Sequence, residues 1–501
     1  MKVAGRALEI VAVGLGQGGG NLAAEFARRG YRALAFNTAA SDLATLSSPG
    51  YSLPKDQRVY IGLDGNDGAG ADASYGRECV AAHAATIRER VAELAADADI
   101  VLLTCGLGGG TGSAVAELVT VLDELSLPLV VLATLPAAHE SGVAKVTAVR
   151  AVNELVAESL LGWVFVDNAR LTETYGSVSL DRYYAEINKV IVEQLDVLNR
   201  LNDRAGARAM RPLDGEDLRT VLLSGGLLSF GTKQLSSLDA ETILAAVDEC
   251  FESSNLMPKG YSLGSVSYLG LALDAPASLL ASTPFSLFEQ VSEQLKSKTG
   301  GAAIYLGTYR DVQAEHATLR LVASSQVLPE GMREMVGVAK VEGAQLRSKL
   351  DNTVSRLDLA DVDRMNLFRS GAGASRRKRS SPQSSSSTAS ADAPHADEPT
   401  LLLQPSRTGI RSPERDAYEH LVREYLSGES EEVRSRVARR LDTDSRSNSL
   451  AARFYAVRAM VKIDPNAFAD SLRTAANDED ASVRALANRA LQLPEQSQQR
   501  S

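Results

Sequence analysis

Four glycine-bearing loops are the parts of this sequence whose residue types and spacing could do chemistry. Residues 104–114 read TCGLGGGTGSA, and five of the seven positions from 106 to 112 are glycine. A tight turn uses one or two glycines, and each extra one weakens the flanking elements because glycine loses the most backbone freedom on folding. Bare backbone at that density lets a chain wrap its N–H groups around a phosphate. The stretch GLGQGGGN at 14–21 contains a G-x-G-x-x-G (Gly14, Gly16, Gly19), the pattern of a dinucleotide loop. An NAD site also wants an acid at the end of the second strand to hold the ribose; Asn37 and Thr38 stand there instead. Neither loop carries the lysine of a P-loop. The charge of a triphosphate would therefore be met by backbone N–H groups, helix N-termini and a metal ion. GAGAD at 68–72 and residues 136–142 fit the same scheme.

These loops need elements to hold them. Apolar strand candidates fall at 8–13, 33–37, 59–63, 100–104, 127–135 and 163–167, with helical stretches at 21–29, 75–95, 114–125 and 144–159 between them. Nearly continuous Val/Leu/Ile strands alternating with helices mean a parallel sheet covered on both faces, a doubly wound α/β architecture. Several phosphate-facing loops at the carboxyl ends of one such sheet form a coherent site. A long helix is expected from about 180 to 203, where Tyr184, Ile187, Ile191, Leu195, Leu198 and Leu201 form one apolar stripe. Strand candidates at 264–272, 303–308 and 318–323 suggest a second α/β domain.

The chain has 501 residues, 44 % of them hydrophobic, and a net charge of −10. That length allows two to four domains, and the charge disfavours nucleic-acid binding by the main body. Three cysteines without paired spacing argue for a reducing compartment and against zinc, and five scattered histidines make no metal centre. No apolar run approaches the ~20 residues that span a bilayer. The N-terminus runs straight into a strand-like pattern and is read as part of the fold. A cytoplasmic location is expected, with any membrane contact indirect. Residues 370–399 are rich in serine, alanine and proline and are expected to be a disordered linker. Its basic run, Arg376, Arg377, Lys378 and Arg379, is read as solvated charge. Beyond Pro413 the pattern is helical, and residues 433–441 resemble 483–491, each after an acidic cluster. Such helix starts look like HEAT-type repeats; a small helical bundle is the alternative.

In order and spacing, GLGQGGGN, FNT at 36–38, GAGAD, GLGGGTGS, VDN at 166–168 and the Asn188 of AEINKVI resemble the tubulin/FtsZ superfamily. GGGTGS is close to that family's signature. GLGQGG and FNTAASDL are worded most like the CetZ-type branch or a bacterial FtsZ-like relative. The resemblance covers about residues 8–327. It implies a GTPase that binds GTP or GDP with Mg2+ and polymerises head to tail into filaments. Gly16, Gln17, Gly18, Gly19 and Asn21 would hold the α- and β-phosphates, with Asn37 beside them. Gly106, Gly108, Gly109, Gly110, Thr111, Gly112 and Ser113 would surround the β- and γ-phosphates, and Ala69, Gly70 and Ala71 would border the γ-phosphate. Glu140 would contact the ribose, and Asn168 and Asn188 would read the guanine edge.

Hydrolysis in this family draws on a loop of the next subunit, which corresponds here to residues 211–222. Asp214 and Asp217 match its two acids and are the catalytic candidates; capping of a helix start is the plainer role for D-G-E-D. Three positions depart from the pattern. Ala114 replaces a glycine, Lys189 replaces an acid beside the guanine-reading asparagine, and Pro212 replaces an asparagine. Slow turnover is the expectation. The implied organisation is a nucleotide-binding domain (1–179), central helix and activating loop (180–210), second α/β domain (211–345), helical extension (346–368), linker (369–412) and HEAT-like helical domain (413–495). The helical tail would bind a protein partner. Two other readings stand beside this one: a nucleotide-bound scaffold that does not hydrolyse and works through its tail, and a dinucleotide-dependent enzyme.

Overall fold

Alternating apolar strands and amphipathic helices build a single mixed sheet. The computed structural model describes residues 6–47, 53–354 and 413–491, apart from 64, 126, 159, 161, 204–206, 255, 312–313, 428–429, 481–482, 485 and 489. The linker with its basic run, and the helical extension beyond 354, lie outside the described residues.

The strands are β1 (Ile10–Leu15), β2 (Arg32–Asn37), β3 (Arg58–Tyr60), β4 (Ile100–Gly106), β5 (Leu129–Leu135), β6 (Trp163–Asp167), β7 (Ala207–Arg211), β8 (Leu227–Leu235), β9 (Val266–Ala275), β10 (Ala303–Asp311) and β11 (Ala317–Ser325). Their order across the sheet is β3-β2-β1-β4-β5-β6-β8-β11-β9-β10-β7. From β3 to β8 every pairing is parallel; β11 then runs antiparallel to both β8 and β9, and β7 antiparallel to β10.

Helices α1 (Gly16–Arg28), α2 (Ala40–Thr45), α3 (Ala73–Ala82), α4 (Ala84–Leu94), α5 (Val115–Asp123), α6 (Gly142–Ala157) and α7 (Asn168–Tyr175) connect the parallel strands. Helix α8 (Leu180–Asn199) is the long one. Then come α9 (Gly215–Leu222), α10 (Ala240–Ser253), α11 (Ala277–Ala281), α12 (Ser286–Thr299) and α13 (Glu330–Val354). The C-terminal segment is helical, with α14 (Pro413–Ser427), α15 (Glu431–Asp444), α16 (Leu450–Ile463) and α17 (Ala469–Ala475). Of the two similar segments, 433–441 falls on helical backbone, as do the described residues of 483–491.

Side chains alternate across a strand, so β1 feeds two cores. Val11, Val13 and Leu15 face α3 to α6, whereas Ile10 and Ala12 face α1 and α8. The apolar stripe of α8 is buried through Ile187, Ile191, Leu195 and Leu198, but Tyr184 stays exposed. At its last residue, Asn199 donates to Leu8 O (2.9 Å) and accepts from Leu8 N (2.7 Å), which fastens the helix to the start of β1.

Two elements differ from expectation. The helix expected over 75–95 is two helices, because His83 leaves helical backbone (φ −102°, ψ 14°) and its ring bonds to Cys79 O. Strands β7 and β8 had no period-two apolar pattern to announce them. The first, ARAMR, is a charged edge strand, and the second, LLSFGTKQL, is apolar only in its first half.

Candidate functional site

The parallel strands deliver the glycine loops to one end of the sheet. Gly16 follows β1, Asn37 ends β2, Gly106 ends β4, Glu140 follows β5 and Asn168 follows β6. Adjacent parallel strands put all their carboxyl ends on the same side, so five separate sequence segments converge there. The loops touch backbone to backbone. Gly16 has φ +71°, and a Cβ on it would lie 2.9 Å from Gly112 N. A Cβ on Gly110 would lie 2.6 Å from the Ala69 methyl and 2.8 Å from Asp72 N. The density of glycine is therefore explained partly by loop-on-loop packing, which the sequence reading did not separate from phosphate contact.

Hydroxyls lock the arrangement. Thr104 Oγ1 donates to Gly19 O (2.8 Å), tying β4 to the first turn of α1. Thr38 and Thr111 hydroxyls meet at 2.6 Å, joining the end of β2 to the GGGTG loop. Ser113 is fully buried and its Oγ accepts from Gly108 N (3.0 Å). The sequence reading passed over Thr38 and Thr104; the FNT triplet was the available signal for the first. In the third loop, Ala71 sits at φ +64°, a conformation that costs an L-residue about 1 kcal/mol or more. Asp72 then caps α3 by accepting from Ser74 N (2.8 Å).

The other candidates take defined places. Asn21 lies on α1, partly exposed, and Asn37 Oδ1 accepts from Ala39 N (3.1 Å). Glu140 Oε1 accepts from Ala137 N (2.7 Å), closing its own turn. Asn168 opens α7, capped by the Asp167 carboxylate through Ala169 N (2.8 Å). Asn188 is buried within α8. That helix ends at Leu8, below β1, so Asn188 stands eleven residues, or roughly 16 Å, back towards the loop end at ~1.5 Å per residue. The Ala114 methyl packs towards Gly76 of α3.

Asp214 and Asp217 lie at the opposite end of the sheet. Gly215, at the start of α9, approaches the backbone of Ala7, just before β1. Arg219 of the same helix pairs with Asp99 (3.0 Å), just before β4, and Asp99 also accepts from Glu9 N. Six residues of β1 separate the two ends, roughly 20 Å at ~3.3 Å per residue. Locally the acids form a capping box: Asp214 accepts from Glu216 N and Asp217 N (both 2.9 Å), and Asp217 accepts from Asp214 N (3.3 Å). Burial pushes the Asp217 carboxyl above its ordinary range; the Asp214 amide lowers it and the Asp214 charge raises it again.

The cradle fits a polyphosphate: bare, converging backbone with helix N-termini at α1 and α3. Among the described residues no group of three or more His, Cys, Asp or Glu could hold a metal ion. No helix among the described residues is long and apolar enough to cross a membrane.

The fold and site define a doubly wound nucleotide-binding domain. Residues 9–176 match the Tubulin/FtsZ family, GTPase domain. The tubulin-like protein CetZ of Pyrococcus abyssi is 28 % identical over 345 residues, covering 66 % of this chain and 90 % of its own. Two solved structures share the fold. The GDP-bound CetZ1 monomer of Haloferax volcanii has a TM-score of 0.55 at 24 % identity, over 68 % of this chain and 100 % of its own. The GTPγS-bound CetZ2 protofilament of the same organism has a TM-score of 0.57 at 22 %, with the same coverage.

Proposed function

We propose that this protein is a cytoskeletal GTPase that binds GTP in the cradle of Gly16–Asn21, Ala69–Ala71 and Gly106–Ser113, assembles head to tail, and hydrolyses GTP between subunits. The observation that carries the reading is the placement of cradle and acids at opposite ends of one sheet. Asp214 and Asp217 cannot reach a nucleotide in their own chain across about 20 Å, but stacking two copies end to end brings the acids of one towards the phosphates of the next. A heterologous contact of this kind propagates into a filament. Glu140 would hold the ribose, and Asn168 and Asn188 the guanine. Mg2+ would supply charge neutralisation on the phosphates, while the acids orient the attacking water. The relatives support this: one similar chain is a GTPγS-bound protofilament. The C-terminal helices would act as a HEAT-like protein-binding module.

Phosphate release from GTP measured against protein concentration, with pelleting in parallel, tests the reading. A threshold concentration is expected for the wild type. Asp214→Asn should pellet but release phosphate at least tenfold more slowly. Release proportional to protein at every concentration would overturn the shared site. The capping box favours a second reading, in which both acids only start α9 and the protein is a nucleotide-bound scaffold that does not hydrolyse; it predicts no phosphate release from wild type or Asp214→Asn.

A further inference from the structure

The C-terminal helices are seated on the body of the protein at the same end of the sheet as the acids. Tyr455 and Arg458 lie three apart on α16 and so share a face. Tyr455 Oη donates to Leu125 O (3.0 Å), and the Arg458 guanidinium donates to Ala98 O. Both acceptors are carbonyls in the segments that lead into β5 and β4. Around them Ala95, Ala98 and Leu125 are sealed from solvent in one apolar cluster with Phe454, Tyr455 and Met460. Ala98 adjoins Asp99, the partner of Arg219 on α9. The tail and α9 therefore meet neighbouring residues at this end of the sheet but pack in different cores, Ala98 with the tail and Leu218 and Val221 of α9 in the other.

The seat is imperfect in a telling way. Arg458 is only 2 % exposed, yet its Nε and Nη1 have no acceptor among the described residues. A buried guanidinium held through one carbonyl keeps most of its desolvation cost. The rest of the segment is well satisfied: Arg453 forks onto Asp478 and Glu479, and Tyr418 stacks on Tyr455 and donates to Asp444 (2.7 Å). The helices are therefore better bonded to one another than to the body.

We propose that the docked C-terminal helices are an autoinhibitory gate. Seated on the segments that lead into β4 and β5, they obstruct the end of the sheet that must accept the nucleotide-bearing end of a second copy, and their release lowers the concentration needed for assembly. This rests on the head-to-tail reading given above. Asp214 itself stays exposed, so the gate acts on the approach of the second copy and not by covering the acids.

The full chain carrying Arg458→Glu, which sets a carboxylate against the Ala98 carbonyl, tests the gate; Tyr455→Phe removes one hydrogen bond and keeps the ring. Circular dichroism checks that the helices remain folded. Amide hydrogen exchange across residues 95–100 and 125–129 reads docking, and pelleting with GTPγS reads the critical concentration. Arg458→Glu is expected to speed exchange at the seat and to lower the critical concentration at least threefold, with Tyr455→Phe between it and wild type. Faster exchange with an unchanged or higher critical concentration overturns the gate alone. Unchanged exchange in both variants overturns the docking contact. If wild type and variants all fail to pellet at any concentration while binding GTP, the filament reading fails and the gate with it.

Discussion

At the scale of single residues, the cradle separates packing from ligand contact. A Cβ on Gly109 would meet nothing within 4 Å, whereas one on Gly110 would press on Ala69 and Asp72. Gly109→Ala should leave the thermal midpoint unchanged and weaken GTP binding about tenfold or more, because the space it fills is where phosphate would lie. Gly110→Ala should lose both, with an overpacking cost of about 1–3 kcal/mol. Equilibrium binding and thermal melts on the two variants make the comparison; equal affinities for Gly109→Ala and wild type would remove the GGGTG loop from the site. Asp214 yields to the same logic. Asparagine caps a helix as well as aspartate does, whereas alanine costs about 1 kcal/mol. Asp214→Asn should match wild type in urea denaturation and Asp214→Ala should not, so a loss of GTPase shared by both variants belongs to the carboxylate.

At the scale of elements, α8 is the strut that sets the distance between the two ends. Its end is fixed by Asn199, fully buried, bonded to both Leu8 N and Leu8 O and to the Tyr31 hydroxyl (3.2 Å). Asn199→Ala strands two buried backbone groups and should destabilise the protein by about 2–3 kcal/mol, read from the urea midpoint. Asn188 would shift with the helix, so guanine over adenine selectivity should fall in the same variant. Unchanged stability would mean that water replaces the side chain at the start of β1.

At the scale of the whole molecule, both cores and all three cysteines are closed to solvent. Burial pushes the Cys105 thiol far up and Cys250 up to about 11. Thiolate is the reactive form, so the native protein should give no fast reaction with a thiol reagent at pH 8 and three equivalents in denaturant. The sign of the linkage follows. The folded values lie above the ordinary value of 9.0, so unfolded thiols ionise first. Stability is intact below pH 9 and falls as pH rises from about 9 towards 11. A midpoint in urea that stays flat between pH 8 and 10.5 would show that the cysteines are not buried as described.

The parallel half of the sheet and its loops were legible because local pattern specifies them. Short apolar runs that alternate with helices and end in glycines read as strands covered on both faces, and those glycines mark the loop ends, so β1 to β6 and the candidates from Gly16 to Asn168 could be named from sequence. The charged edge strand β7 and the half-polar β8 were not legible, because their place is set by the neighbours they pair with. The sequence by itself determined which backbone could cradle a phosphate and which two acids stand three apart at a helix start. Only the tertiary structure decided that these lie at opposite ends of one sheet, and that Tyr455 and Arg458 reach across the chain to Leu125 and Ala98. Those distances depend on strand order and helix direction, which no local spacing encodes.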